Sequence, residues 1–217
     1  MPAATCLRMG NEGVPLWLID DAHPHPAQLV EHALDQTFAK AEGDLYPGIR
    51  AETPPAYPNW LHDLLTPILN AQTIQILRTS FAVTTCAPAS LLAIQRIPHF
   101  DTVDSSILAA VHYLCEPPHQ GTSFYRHRAT GFETMSSART AAWQGSLAAD
   151  AARHGMPPAR YHAASTASFE QIGAADLRYN RLVLYPANCL HCGDIGESWS
   201  RDTLSEARLT ITSLIRL

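Results

Sequence analysis

Past residue 87 the chain breaks into short apolar segments separated by Gly, Pro and polar turns, at 91–97, 107–114, 122–128, 169–172, 181–185 and 209–215. Segments of about four to eight residues, rich in β-branched and aromatic side chains, are short for helices and read as strands. One Ala-rich stretch, about 137–154, interrupts them and reads as a helix stopped by Gly155. Upstream, 14–19 reads as a strand closed by Asp20 and Asp21. Pro26 opens a helix expected to run to about residue 41, with Leu29, Val30, Ala33, Leu34 and Phe38 on one face and Gly43 as its stop. The stretch 46–58 holds four prolines and is expected to be an ordered loop or extended arm. Asn59 is placed to cap a second helix striped by Trp60, Leu61, Leu64, Leu65 and Ile68, and 73–83 suits a strand. Helices followed by a β-rich half predict an α+β chain, mainly β: a sandwich or barrel supported on one side by helices. The expectation is a single domain over 1–217, with a helical support region at 1–86 and a β core at 87–217 that carries the insert near 137–154.

Composition narrows the class. Hydrophobic residues make up 46% and charged residues 16% of 217, which excludes a disordered chain. Fifteen basic against twenty acidic side chains give 15 − 20 = −5, with no basic run, so neither nucleic acid nor an anionic membrane is an expected partner. No apolar run approaches the length of a membrane span, and residues 1–10 lack the pattern of a signal peptide. Five cysteines, an odd number, favour free thiols in a reducing cytoplasm. Cys189-Leu-His-Cys192 is a CxxC, but no second pair completes a zinc site, and it follows a strand and Pro186 rather than opening a helix. Packing thiols are the expectation. Walker, dinucleotide, HExxH and GxSxG signatures are all missing from the sequence.

The chemistry-bearing residues cluster around histidine, of which there are eleven. In His99-Phe-Asp101, directly after the segment 91–97, the His and Asp share one face because strand side chains alternate. His191 follows the strand 181–185 and the Pro186 turn, and supplies a third candidate ligand. Two imidazoles and one carboxylate leave three coordination positions open, the arrangement of non-haem Fe(II) oxygenases. Among so many histidines an HxD pair alone is weak, and the bland alternative is a turn His bonded to backbone or to Asp101. Arg208 opens the alternating segment 209–215, and a guanidinium pointing into a barrel needs a carboxylate, which a dicarboxylate co-substrate would provide. The alternative is an Arg208 facing solvent or pairing with Glu206. Arg126 and Arg128 share a strand face, which either grips an anionic substrate group or, more commonly, is a solvated outer face.

Together these pieces resemble the 2-oxoglutarate/Fe(II)-dependent dioxygenase superfamily, in particular its prolyl-hydroxylase-like branch. The resemblance rests on His99-Phe-Asp101, Val111-His-Tyr113-Leu114, Gly121-Thr-Ser-Phe124, Leu182-Val-Leu-Tyr185-Pro186, His191 and Arg208-Leu-Thr-Ile211, spread over 91–217. It implies a double-stranded β-helix (jelly-roll, cupin-like) braced by the N-terminal helices. It also implies Fe(II) on His99, Asp101 and His191, the distal carboxylate of 2-oxoglutarate on Arg208, His112 or Tyr113 reaching the co-substrate, and O2 as the oxidant. Retention of Asp101 implies hydroxylation, since halogenating relatives replace this carboxylate with a small residue. The chain departs from the family in having Gln120-Gly121 where paired Gly is common. The gap from His191 to Arg208, 208 − 191 = 17, is also long and implies a loop at 194–205. The expected substrate is an amino acid, a peptide or protein side chain, or a small natural product; the oligomeric state is not set, a homodimer included. Two rival readings are a cupin-like metal enzyme without 2-oxoglutarate, favoured by an outward Arg208, and an inactive barrel serving as a binding module.

Overall fold

A computed structural model describes residues 2–40, 43–196, 199 and 203–217. Among these residues the chain is mainly β, with three α-helices and two antiparallel sheets. In order come β1 (Ala4–Met9), β2 (Val14–Ile19), α1 (Pro26–Leu34), β3 (Gly48–Ala51), α2 (Tyr57–Ile68), β4 (Gln75–Thr84), β5 (Ile107–Tyr113), β6 (Thr122–His127), α3 (Thr140–His154), β7 (Phe169–Ala175), β8 (Leu182–Pro186), β9 (His191–Gly193) and β10 (Thr210–Arg216). The large sheet runs β1-β2-β8-β5-β10-β4-β3 and the small one β7-β6-β9. No helix among the described residues is long and apolar enough to cross a membrane.

Period-two alternation splits the large sheet between two environments. Phe81, Leu108, Leu182, Leu184 and Ile211 face Leu29 and Ala33 of α1 and Tyr57, Leu61 and Leu65 of α2. Tyr113, Val183 and Tyr185 face Phe124 and Ala175 of the small sheet. The outer face of the small sheet is closed by α3, whose Trp143 packs with Tyr125 and Phe169. Helices therefore brace the large sheet on one side, as the apolar stripes predict, and the inter-sheet space lies on the other.

Several expectations change. Residues 91–97 are not a strand: a 3-10 turn at Ala93–Arg96 replaces it. Local side chains take over the backbone bonding there, with Arg96 donating to the Leu91 carbonyl from Nε (3.0 Å) and Nη2 (2.6 Å), and Gln95 Oε1 accepting from Leu92 N (2.7 Å). Helix α1 stops at Leu34, because Ala39 exchanges two backbone bonds with Arg50 (2.8 and 2.9 Å) and pulls the chain onto the sheet edge. Residues 41 and 42, the expected helix end, lie outside the described residues. The proline-rich arm holds β3 and the start of α2, whose N-cap is Ala56 rather than Asn59. Strands β1 and β9 had no sequence expectation. The expected loop at 194–205 lies partly outside the described residues.

Candidate metal centre

The site is set by backbone pairing before any side chain acts. His99 and His191 form an isolated antiparallel bridge and exchange both backbone bonds (2.9 and 2.8 Å), which places their rings on one face. Asp101 N donates to the Ala187 carbonyl (2.8 Å), and Ala187 N to that of Ile107 at the start of β5 (2.9 Å). One donor atom each from His99, Asp101 and His191 then lies within 4.8 Å of the others. His99 Nε2 is 4.0 Å from Asp101 Oδ1, and His191 Nε2 is 3.9 Å from Asp101 Oδ2.

The tautomer of His191 follows from its neighbour. Its Nδ1 lies 3.0 Å from the Cys189 carbonyl, which only accepts, so Nδ1 carries the hydrogen and the Nε2 lone pair faces the triad. Desolvation by the surrounding protein, although an edge of the ring still meets solvent, and the neighbouring His191 lower His99 to about 4 against the pull of Asp101, which favours a neutral ring at pH 7. The side chains of His99 and Asp101 are 48% and 32% exposed while His191 is 7% exposed, which leaves one side of the triad open to incoming molecules. Two imidazole nitrogens and one carboxylate oxygen, with an open side, fit a non-haem Fe(II) centre.

Arg208 precedes β10 and is buried. Its Nε donates to the Gln120 carbonyl (2.9 Å) and Nη2 to that of Gly121 (2.7 Å), and its guanidinium lies 5.5 Å from the centre of the Tyr113 ring. Neither solvent nor Glu206 takes this charge; backbone carbonyls do. Tyr113 bonds Thr122 Oγ1 through its hydroxyl (2.8 Å), and burial pushes that hydroxyl up to about 12. Asp194 lies in the same region: burial raises its pKa against the Ser123 hydroxyl and the charge of Arg208. Tyr185 connects the two groups. Its ring is 4.8 Å from that of His191, and its hydroxyl, held high chiefly by burial, feels both Asp101 and Arg208. Nothing in the sequence singled out Tyr185 as a link, although its place before Pro186 put it beside a ligand.

The alternation of β5 separates the two candidates His112 and Tyr113. His112 turns to the helix side, where its nitrogens meet the Tyr57 hydroxyl (3.1 Å) and Asn180 Oδ1 (3.0 Å). The expected co-substrate contact of His112 therefore does not form, and Tyr113 alone faces the inter-sheet space. Arg126 and Arg128 do not form a substrate grip either. Arg126 is held by Glu133 (Nε to Oε1, 2.7 Å) and Glu170 (2.9 Å), while Arg128 donates to the Thr166 carbonyl (3.1 Å). Acidic side chains already occupy Arg126, and Glu170 lies 3.9 Å from Arg128. Cys189 and Cys192 are buried, unbridged thiols that pack in different clusters.

The sequence model of the DUF6445 family, described as a family of unknown function, matches residues 1–215. No curated protein matches. Among solved structures, HygX from Streptomyces hygroscopicus with nickel and 2-oxoglutarate bound is similar at a TM-score of 0.52 and 10% identity, over 93% of this chain and 82% of that one. HygX with nickel, 2-oxoglutarate and hygromycin B bound gives 0.50 and 10%, over 93% and 81%. AviO1 from Streptomyces viridochromogenes Tue57 gives 0.49 and 11%, over 99% and 89%. At this identity the likeness to HygX is one of fold: the chain is built like a protein that holds a metal and 2-oxoglutarate.

Proposed function

We propose that this chain, which belongs to the DUF6445 family, is an Fe(II)/2-oxoglutarate-dependent oxygenase that hydroxylates a C–H bond of an amino acid, a peptide side chain or a small natural product. The sheet order supports reading the core as a double-stranded β-helix, with β8-β5-β10-β4 facing β7-β6-β9 and the His99 segment. The HxD motif and the order of segments after it support a place near the prolyl-hydroxylase-like branch.

The observation that carries the proposal is a chain of contacts through one core cluster: the buried Arg208 lies 5.5 Å from the Tyr113 ring, Tyr113 packs in the same cluster as Tyr185, and the Tyr185 ring is 4.8 Å from that of His191 in the open triad. Among the described residues the Arg208 guanidinium bonds backbone carbonyls, and a buried cation so held favours an anionic ligand. The guanidinium fork and the Tyr113–Thr122 hydroxyl pair bind and orient one end of a dicarboxylate, while the triad receives the other. Bound iron supplies the redox chemistry that couples O2-driven decarboxylation of 2-oxoglutarate, to succinate and CO2, with oxidation of the substrate. Tyr185 and Phe124, in edge-to-face contact at 5.0 Å, wall this space with aromatic surface and exclude water. The cupin-like alternative without 2-oxoglutarate called for an outward Arg208, and the buried position speaks against it.

The test is a titration of the full chain with Mn(II), a redox-quiet stand-in, followed by 2-oxoglutarate, with succinate measured under Fe(II) and O2. His191→Ala is expected to abolish metal binding. Arg208→Met is expected to keep the metal and lose 2-oxoglutarate affinity by roughly tenfold or more. A wild-type chain that binds neither Mn(II) nor 2-oxoglutarate would overturn the proposal.

A further inference from the structure

The inner wall of the large sheet carries a second arginine site, which neither the triad nor Arg208 uses. Alternation puts Thr212 and Leu214 of β10, Arg78 and Ser80 of β4, and Arg50 of β3 on one face. Leu214 packs against the inter-sheet core, whereas Ile49, Ala51 and Phe81 go the other way into the helix-side core, so this face looks into the space between the sheets. Arg50 Nη1 donates to Thr212 Oγ1 (2.8 Å) and Ser80 Oγ (3.2 Å), and Nε donates to Asp44 Oδ2. The guanidinium lies 4.4 Å over the Tyr46 ring, and the Tyr46 hydroxyl bonds Thr84 Oγ1 (3.1 Å).

Strand pairing carries this wall toward the proposed co-substrate site: Arg50 stands opposite Ala82, and Ala82 opposite Thr210, two residues after Arg208. The Tyr46 hydroxyl, raised by burial, feels the charges of Arg208 and Arg50. Arg78 stands one inward-facing step further along β4, opposite Leu214, exposed, and its charge reaches Asp44. Arg50 is 15% exposed and paired with Asp44, while Arg78 is open to solvent, so the two differ in how each would meet an incoming anion. Among the described residues Arg50 uses Nε and Nη1, and no bond from Nη2 is formed. The Asp44 carboxylate accepts one bond on each oxygen, from Tyr46 N (2.9 Å) and Arg50, and each oxygen has capacity for another. Two cations and one anion therefore present complementary open valences on one wall.

We infer that Arg50, Arg78 and Asp44 anchor the primary substrate, and that this substrate is a small zwitterion carrying a carboxylate beside an amine, as a free amino acid does. The carboxylate is taken by Arg50 Nη2 and Arg78, and the ammonium by Asp44. The inference rests on the oxygenase reading for its place in the reaction; the binding itself is testable without turnover.

The probe is an equimolar mixture of the common L-amino acids, together with their methyl esters and N-acetyl derivatives, added to the full chain. Ligand-observed NMR is recorded first on the metal-free protein and then with Mn(II) and 2-oxoglutarate, where broadening by Mn(II) reports closeness to the triad. At least one amino acid is expected to bind, and to broaden once Mn(II) is present, with its ester and N-acetyl forms weaker by about tenfold or more. Arg50→Met is expected to lose the amino acid by a similar factor while Mn(II) and 2-oxoglutarate affinities stay within about twofold. Arg78→Met, at an exposed position that tolerates change, is expected to weaken it by about threefold. Asp44→Asn is expected to erase the preference for the amino acid over its N-acetyl form. The anchor is overturned if no amino acid binds a wild-type chain that binds 2-oxoglutarate, or if Arg50→Met loses 2-oxoglutarate as well. Amino-acid binding by a chain that takes up neither metal nor 2-oxoglutarate would uphold the anchor and overturn the oxygenase reading instead.

Discussion

His112 sits in an environment far from water. Its ring is fully buried, with Tyr57 on Nδ1 and Asn180 on Nε2, and Trp60 stacks on it at 5.8 Å between ring centres. Burial lowers its pKa to about 4, against the favourable bond to Asn180. The unfolded chain takes up this proton near pH 6.5 and the folded chain only near 4. Between those values the unfolded state binds more protons, so stability is full above the upper value and falls as pH falls, by at most about 1.4 kcal/mol per pH unit for this group. The expected outcome is a urea midpoint that drops from pH 7 to pH 5 in the wild type and drops less in His112→Gln. An equal drop in both would remove His112 from the account. Its place on the helix side also makes this a stability effect that leaves Mn(II) affinity at pH 7 unchanged.

The β1–β2 hairpin acts at the scale of an element, because its tip is clasped to the segment that runs beside His191. Glu133 is fully buried and its carboxylate accepts from Asn11 N and Glu12 N, both at 2.8 Å. Glu12 returns the bond, accepting from Thr134 N (3.1 Å) and Arg139 Nη1 (2.7 Å). The same stretch runs beside the ligand: Leu190 N donates to the Glu133 carbonyl (2.8 Å) and Met135 N to that of Asn188 (2.7 Å). Gly10 makes the clasp possible, since it sits at φ +61° and any Cβ there would run into the Glu133 carboxylate. Gly13, at φ +63°, has open space around it. Gly10→Ala is therefore expected to cost about 2–4 kcal/mol, backbone strain plus a disrupted clasp, and Gly13→Ala only about 1 kcal/mol. Chemical denaturation of the two variants compares them directly; equal losses would mean that the clasp contributes nothing.

For the whole molecule, a metal that binds only the folded chain must stabilise it. At a free metal concentration about 100 times Kd the gain is about 2.7 kcal/mol, which for a chain of this size raises Tm by roughly 5–10 °C. Mn(II) is expected to produce that shift, EDTA to reverse it and His191→Ala to eliminate it. A shift that survives in His191→Ala would place the metal elsewhere. The division of labour between walls is also a whole-molecule property: His191 on the small sheet with His99 bridged to it, Arg208 at the start of β10 and Arg50 on β3 of the large one, and Tyr185 of β8 packed on His191.

Elements whose side chains alternate over several residues can be read from the chain directly. The strands near 107–114, 122–128 and 209–215, the stripe of α2 and the Gly155 stop are legible because burial of one face imposes a period that composition displays. The sequence also marked the residues of the triad and Arg208, since His, Asp and Arg beside apolar segments are costly enough to stand out. The remainder depends on contacts between segments distant in the chain. The three-residue β9 carries no period to read, and the 3-10 turn before His99 depends on where the Arg96 side chain finds a carbonyl. The choice between His112 and Tyr113 turned on which face of β5 the helices cover, a fact about α1 and α2 rather than about β5. Arg126 and Arg50 each combine a charge with a strand position, yet one is sealed by Glu133 and Glu170 and the other keeps an open valence. Which acids stand opposite a given arginine is set by register between strands far apart in the chain, and local sequence holds no record of it.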